Sequence, residues 1–136
     1  MKFHETTFDE YINNTRNIDL HPELREFEES IPNKPINFKN MIIYGPSGVG
    51  KYTQMLRFIK KYSPSELKYD KKMGLQADKY EHSYRISDIH YEIDMSLLGC
   101  NSKSVWHDVY MQIVDIVSLK PCKFGIIVCK NFHAIH

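Results

Sequence analysis

The chain has 136 residues, 42% of them hydrophobic and 26% charged, and carries a net charge of +1. That length fits one domain able to bury roughly 70% of its unfolded surface, and the composition is that of an ordinary globular protein. The near-zero balance excludes a nucleic-acid binder driven by global charge, although a local basic patch stays open. No segment approaches the ~20 apolar residues of a membrane span, and Met1 to Glu5 are not followed by the apolar run of a secretory signal. Cys100, Cys122 and Cys129 show no metal-ligand spacing and leave one thiol over in any disulfide pairing. The expected setting is therefore reducing and intracellular, in nucleus or cytoplasm, with no membrane and no secretion.

Residues 1–21 are polar and punctuated by Asn13, Asn14 and Asn17, which predicts an N-terminal arm with a short helix near Phe8 to Ile12. His21-Pro22 opens a predicted helix over Pro22 to Ser30, because Pro near a first turn loses no needed N–H; Pro32, Asn33 and Pro35 end it. Met41-Ile42-Ile43-Tyr44 is a short apolar run that stops at Gly45, the pattern of a buried parallel strand. Beyond it, Met55, Leu56, Ile59 and Tyr62 fall at helical spacing over Lys51 to Tyr62, and Ser63-Pro64 breaks the pattern.

Residues 65–83 are charged and lack a clear period, with Lys68, Lys71, Lys72 and Lys79 clustered there. Ser83 to Asp94 alternates in part and reads as extended, a hairpin and then a strand, before a turn at Gly99 to Asn101. Val105, Val109, Ile113, Ile116 and Val117 make one apolar stripe over Ser104 to Leu119, the clearest helix in the chain. Pro121 closes it, and Phe124 to Cys129 follows as a second buried-strand run with Cys129 as a core residue. Strand, loop, helix, strand, helix, strand is the order of an α/β fold with a parallel sheet.

The chemistry sits in Gly45-Pro46-Ser47-Gly48-Val49-Gly50-Lys51-Tyr52-Thr53. It matches the phosphate-binding pattern of Gly, four residues, Gly and Lys, which then requires Ser or Thr. Glycines let successive N–H groups turn toward an anion, the following helix offers its positive end, and the lysine sets a point charge between the outer phosphates. The hydroxyl that ordinarily holds Mg²⁺ is replaced by Tyr52, a side chain too long and wrongly aimed for that task; Thr53, one residue late, is the candidate metal hydroxyl. A glycine-rich strand–helix turn without nucleotide is the alternative reading of this segment.

The run Tyr44 to Lys51, with a threonine at Thr53, resembles the small subunits of replication factor C, the sliding-clamp loader. His90-Tyr91-Glu92-Ile93-Asp94 with the Ser104–Leu119 helix, and the lead-in His21-Pro22-Glu23-Leu24, are similar to the same family, and the resemblance spans roughly residues 17 to 136. It implies a three-layer P-loop NTPase fold of the AAA+ type over residues 22–136, incomplete at its C-terminus, after the 1–21 arm. It also implies ATP with Mg²⁺ as ligands, other clamp-loader subunits and the sliding clamp as partners, and DNA reached through that complex.

The family's next landmark is an acidic pair after the strand Phe124–Cys129, which holds the metal and orients the attacking water. Lys130 and Asn131 stand there instead. Lysine does not bind Mg²⁺ and asparagine is no base, so the expectation is ATP binding with weak or no hydrolysis. The chain also ends before the sensor strand, arginine finger, lid and collar of that family, which implies a fragment or a shortened reading frame.

Two other functions stay open: a structural or interaction module with a vestigial P-loop, and a small P-loop phosphotransferase. The second needs phosphate-clamping arginines, and none of Arg16, Arg25, Arg57 and Arg85 is placed by sequence to serve. His133 and His136 have a two-ligand spacing without companions for zinc. Asp88, His90, Glu92 and Asp94 alternate along an extended segment, which reads first as a solvated strand face. Trp106 and Tyr110 read as a packing pair, and the Lys68–Lys72 run as a solvated loop before a DNA contact.

Overall fold

A computed structural model of the chain describes residues 5–77, 80–100 and 102–134. The chain divides into two compact units, Met1–Tyr69 and Asp70–His136. Their secondary structure is mixed α and β, with one four-stranded sheet. Among the described residues no helix is long and apolar enough to cross a membrane.

In the first unit, helix α1 spans Phe8–Asn17 and extends the short helix expected at Phe8 to Ile12. Thr7 starts it through a reciprocal capping box: Glu10 N–H donates to Thr7 Oγ1 at 3.2 Å, and Thr7 N–H donates to Glu10 Oε2 at 3.1 Å. That arrangement satisfies two donors a helix start otherwise leaves orphaned. Helix α2 is Leu24–Ser30, and helix α3 is Lys51–Ile59, continued by a 3₁₀ turn over Lys60–Tyr62. Phe8, Ile12, Leu56, Phe58, Ile59 and Leu67 are buried. An edge-on ring pair, Phe27 on Phe58 at 5.4 Å, brings α2 onto α3.

Polar contacts tie the same helices together. Arg25 donates to Glu28 and to Gln54, and lies 3.3 Å from the Asp19 carboxylate. Arg57 donates to Thr15 Oγ1 at 2.8 Å and to Glu28 Oε2 at 3.2 Å.

The apolar run Met41–Tyr44 is not a strand. Ile42 is 88% exposed and Tyr44 89% exposed. The expected burial needs sheet neighbours, and among the described residues the first unit contains no strand to supply them.

The second unit is built on that sheet. Strands β1 (Lys71–Ala77) and β2 (Tyr80–Ile86) form an antiparallel hairpin in which Lys71 pairs with Ile86 and Ala77 with Tyr80. Strand β3 (His90–Asp94) continues antiparallel to β2, and β4 (Ile126–Lys130) lies parallel to β3, with His90 opposite Ile126 and Asp94 opposite Lys130. The sheet is therefore mixed, which corrects the expected parallel sheet. The physical reason is chain length: two residues between β1 and β2 leave no room for a crossover, so these strands run antiparallel, and only the pair bridged by a helical crossover can run parallel. Residues 65–83, which lack a clear period, contain β1 and the first half of β2.

Helix α4 (Ser102–Ser118) supplies that crossover. Its stripe of Val105, Val109 and Ile113 is buried in one cluster with Tyr84, Tyr91, Ile93 and Met95, and Trp106, Val117 and Cys129 pack at the margin. Gly125, just before β4, runs close beneath the helix: a Cβ there would meet Val117 Cγ2 at 2.9 Å and Tyr91 Cε2 at 3.3 Å. Only glycine fits that approach without displacing a neighbour.

Candidate phosphate loop and strand-end acids

The loop Gly45 to Gly50 precedes α3 as a series of turns. Gly48 and Gly50 have φ of +76° and +88°. No neighbouring atom lies within 4 Å of a Cβ built at either position, so backbone conformation rather than space requires glycine there. Gly50 caps α3, and the first i→i−4 bond of the helix is Gln54 N–H to the Gly50 carbonyl at 3.1 Å. The N–H groups of Lys51, Tyr52 and Thr53 precede that bond and so have no carbonyl one turn back within the helix. These first-turn donors, the positive helix end and a lysine are what a phosphate requires.

Lys51 Nζ reaches back and donates to the Gly45 carbonyl at 2.6 Å, which places the ammonium over the loop. Gly45, Pro46, Ser47 and Gly48 are exposed, while Val49, Gly50, Lys51, Tyr52 and Thr53 are half-buried. The nine residues singled out in the sequence thus form one continuous element of the first unit.

Tyr52 has a structural use. Its ring meets Tyr11 of α1 edge to face, with centroids 4.9 Å apart and planes at 78°. A serine or threonine at this position could not make that contact. Tyr52 is thus an aromatic brace between α1 and α3. Thr53, about 100° further round the helix, is the remaining hydroxyl of the first turn.

The lead-in reaches the loop as well. His21 Nε2 lies 2.5 Å from the Val49 carbonyl oxygen, and Nδ1 lies 3.4 Å from Glu23 Oε1. Its backbone N–H donates to Asp19 Oδ1 at 3.1 Å. The hydrogen bond to Val49 raises the pKa of His21 above the ordinary histidine value. Partial burial opposes that shift, and Glu23 and Asp19 add to it. Sequence reading placed His21 in a helix start; its contact 28 residues onward has no local signal.

In the second unit, Lys130 ends β4 and Asn131 follows it with φ of +55°, a left-handed conformation that asparagine tolerates. Asn131 Nδ2 donates to Asp94 Oδ1 at 3.0 Å. The same oxygen accepts from Ser96 N–H at 3.0 Å and from Ser96 Oγ at 2.5 Å. Burial pushes the Asp94 pKa up, but the bonds from Ser96 and Asn131, with the nearby Lys130 charge, outweigh it and hold the carboxyl below its usual range. Asn131 thus clips the ends of β3 and β4 together.

His90 and Glu92 are not on a solvated face: both are buried, which corrects that expectation. They lie on β3, between β2 and β4, and alternate with Tyr91 and Ile93 of the hydrophobic cluster, so both faces of this strand are covered. His90 hydrogen-bonds through Nδ1 to Ser87 Oγ, and its Nε2 lies 3.7 Å from Glu92 Oε1.

Arg85 and Asp70 form a two-point ion pair, with Nε donating to Oδ1 at 2.8 Å and NH2 to Oδ2. Arg25 and Arg57 are bound to acids of the first unit, so these three arginines hold structure. Arg16 is described for its backbone alone, and Lys79, Asn101 and His136 lie outside the described residues. Among the described residues no three His, Cys, Asp or Glu side chains gather as a metal site. Cys100, Cys122 and Cys129 are free thiols, and burial raises the pKa of Cys129.

No protein-family model matches the chain, and no curated protein matches its sequence.

Proposed function

We propose that the chain binds a nucleoside triphosphate, ATP, through the loop Gly45 to Thr53. We further propose that it does so as a clamp-loader-like subunit in DNA replication, with weak or no hydrolysis of its own. The observation that carries the binding reading is the loop itself: two positive-φ glycines, a helix start free of earlier intrahelical bonds, and Lys51 folded over them. The clamp-loader role, its partner subunits, the clamp, DNA and a three-layer AAA+ fold rest on the sequence resemblance.

Mg²⁺ would accompany the nucleotide. The residues fit the metal poorly, because Tyr52 is committed to Tyr11 and the strand end carries Lys130 and Asn131 in place of acids. Thr53 is the candidate hydroxyl. Lysine and asparagine at the strand end provide neither a metal ligand of the required charge nor a base for water, and this supports binding without efficient turnover.

A titration of fluorescent ATP onto the full chain, with and without Mg²⁺, tests the reading. Lys51→Ala is expected to weaken binding at least tenfold, about the effect of losing one charge-assisted phosphate contact. Equal affinity in both proteins, or robust hydrolysis that survives Asn131→Ala, would overturn it.

A second reading has its own support. Tyr52 and Asn131 stand where the family resemblance calls for a metal hydroxyl and a catalytic acid, and each performs a structural task within its own unit: Tyr52 braces two helices and Asn131 joins two strand ends. A module with a vestigial loop would show no nucleotide affinity, and its stability would ignore Lys51→Ala.

A further inference from the structure

Both ring nitrogens of His21 face acceptors. Val49 offers a carbonyl oxygen at 2.5 Å and Glu23 a carboxylate oxygen at 3.4 Å, and neither can donate. A neutral imidazole has one N–H and satisfies one of the two; the imidazolium has two and satisfies both. Asp19 and Glu23 are the charged groups facing the ring, and both favour the cation.

The bond to Val49 has a consequence for the next amide. Among the described residues every peptide is trans. In a planar trans unit the C=O and the N–H point in opposite directions. A Val49 carbonyl held toward His21 therefore directs the Gly50 N–H away from it. Gly50 is the left-handed residue that begins α3, and Gly48 two residues earlier is left-handed as well. Such a succession of turned amides is the anion-binding concavity of a phosphate loop.

We propose that His21 is a positioning residue of the phosphate loop: its imidazolium grips the Val49 carbonyl, turns the Gly50 amide into the loop, and makes phosphate affinity depend on His21 protonation. The binding half of this proposal rests on the nucleotide-binding reading above; the positioning half does not. The sign follows from the raised pKa. Below the ordinary histidine value His21 meets both acceptors and grips Val49 with a charged donor; as pH rises through the raised value a single neutral N–H remains for the two acceptors, and the grip weakens.

The test uses two readouts on the full chain between about pH 5.5 and about pH 8.5, a window that spans histidine titration. In amide NMR, the Gly50 signal is expected to shift with the same midpoint as the His21 ring, and to stay flat in His21→Gln, which keeps a donor but does not titrate. In fluorescent-ATP binding, wild-type affinity is expected to fall about fivefold from the acid to the alkaline end relative to His21→Gln, the scale of one charge-assisted hydrogen bond. Protonation of the nucleotide's own phosphates is common to both proteins and cancels in that ratio. His21→Ala is expected to bind more weakly than wild type at acid pH, with the far-UV spectrum reporting its fold.

A Gly50 amide that ignores a titrating His21 would overturn the proposal. So would His21→Ala with unchanged affinity where Lys51→Ala has lost binding. If Gly50 follows His21 but wild type binds no nucleotide at any pH, the positioning half stands, and the nucleotide reading falls together with the binding half.

Discussion

Met41–Tyr44 and Ile126–Lys130 carry nearly the same signal, a short apolar run ending at a turn, and they have opposite fates. The second is β4, paired along its whole length with β3 and half-buried, with Ile127 and Cys129 packed against the cluster that α4 helps to build. The first lies in a unit with no strand among its described residues, and Ile42 and Tyr44 are exposed. An apolar run states a preference for burial; a neighbouring strand with matching hydrogen-bonding groups decides whether the preference is met. β4 has such a neighbour because the α4 crossover is long enough to return the chain parallel to β3.

The sharpest way to break this contrast is to place the same charge in each run. Ile127→Asp puts a carboxylate beside the packed cluster and is expected to destabilise the second unit by about 3 kcal/mol or more. Ile42→Asp, on an exposed residue, is expected to change stability by less than about 0.5 kcal/mol. Urea denaturation of both variants measures the difference, and equal losses would mean that Met41–Tyr44 is buried in solution.

A smaller effect probes how closely β4 is held. Gly125→Ala forces a methyl toward Val117 and Tyr91 and is expected to cost about 1–3 kcal/mol by overpacking. A neutral result in thermal melting would show that helix and strand have room to separate.

Tyr52→Ser restores the hydroxyl of the usual phosphate motif and removes the ring from Tyr11. It is expected to destabilise the first unit by about 1 kcal/mol, the worth of an edge-to-face pair. If Mg²⁺-dependent nucleotide affinity rises in the same variant, the brace has displaced a metal site. If stability is unchanged, the ring pair contributes nothing.

The mildest prediction concerns the strand ends. Asp94 has a depressed pKa, so its stabilising effect is full above the unfolded carboxyl value near ~3.9 and disappears as pH falls through the lower folded value. Asp94→Asn should cost about 1 kcal/mol at neutral pH, the scale of one net hydrogen bond at an exposed site. That cost should shrink toward zero in strong acid. A pH-independent difference would remove the ionised carboxylate from the account.

The elements with strong local signals were legible. The α4 stripe, the α3 run after Lys51, and the Phe124–Cys129 strand all rest on periodicity or apolar runs that the structure retains within a few residues. The hairpin was legible only in its second half, because Lys71 to Ala77 lies on an edge strand and lacks alternation. The turn into α3 was legible, with its left-handed glycines and the helix start at Lys51, since these act locally. Long-range contacts were not: Tyr11 with Tyr52, His21 with Val49 and Asp94 with Asn131 join positions 41, 28 and 37 apart. Two of them involve residues that depart from the familiar pattern, Tyr52 and Asn131, and none leaves a trace in spacing.

The mixed sheet has a further consequence at its outer strand. Among the described residues β1 is the outer strand of the sheet, with β2 beside it, and an outer strand is where strand addition from another molecule takes place. Lys71 and Lys72 stand at the start of that edge, both exposed, with Lys68 just before them. Like charges brought into register across two such edges repel, so the lysine run that invites comparison with a DNA contact also guards the chain against its own aggregation.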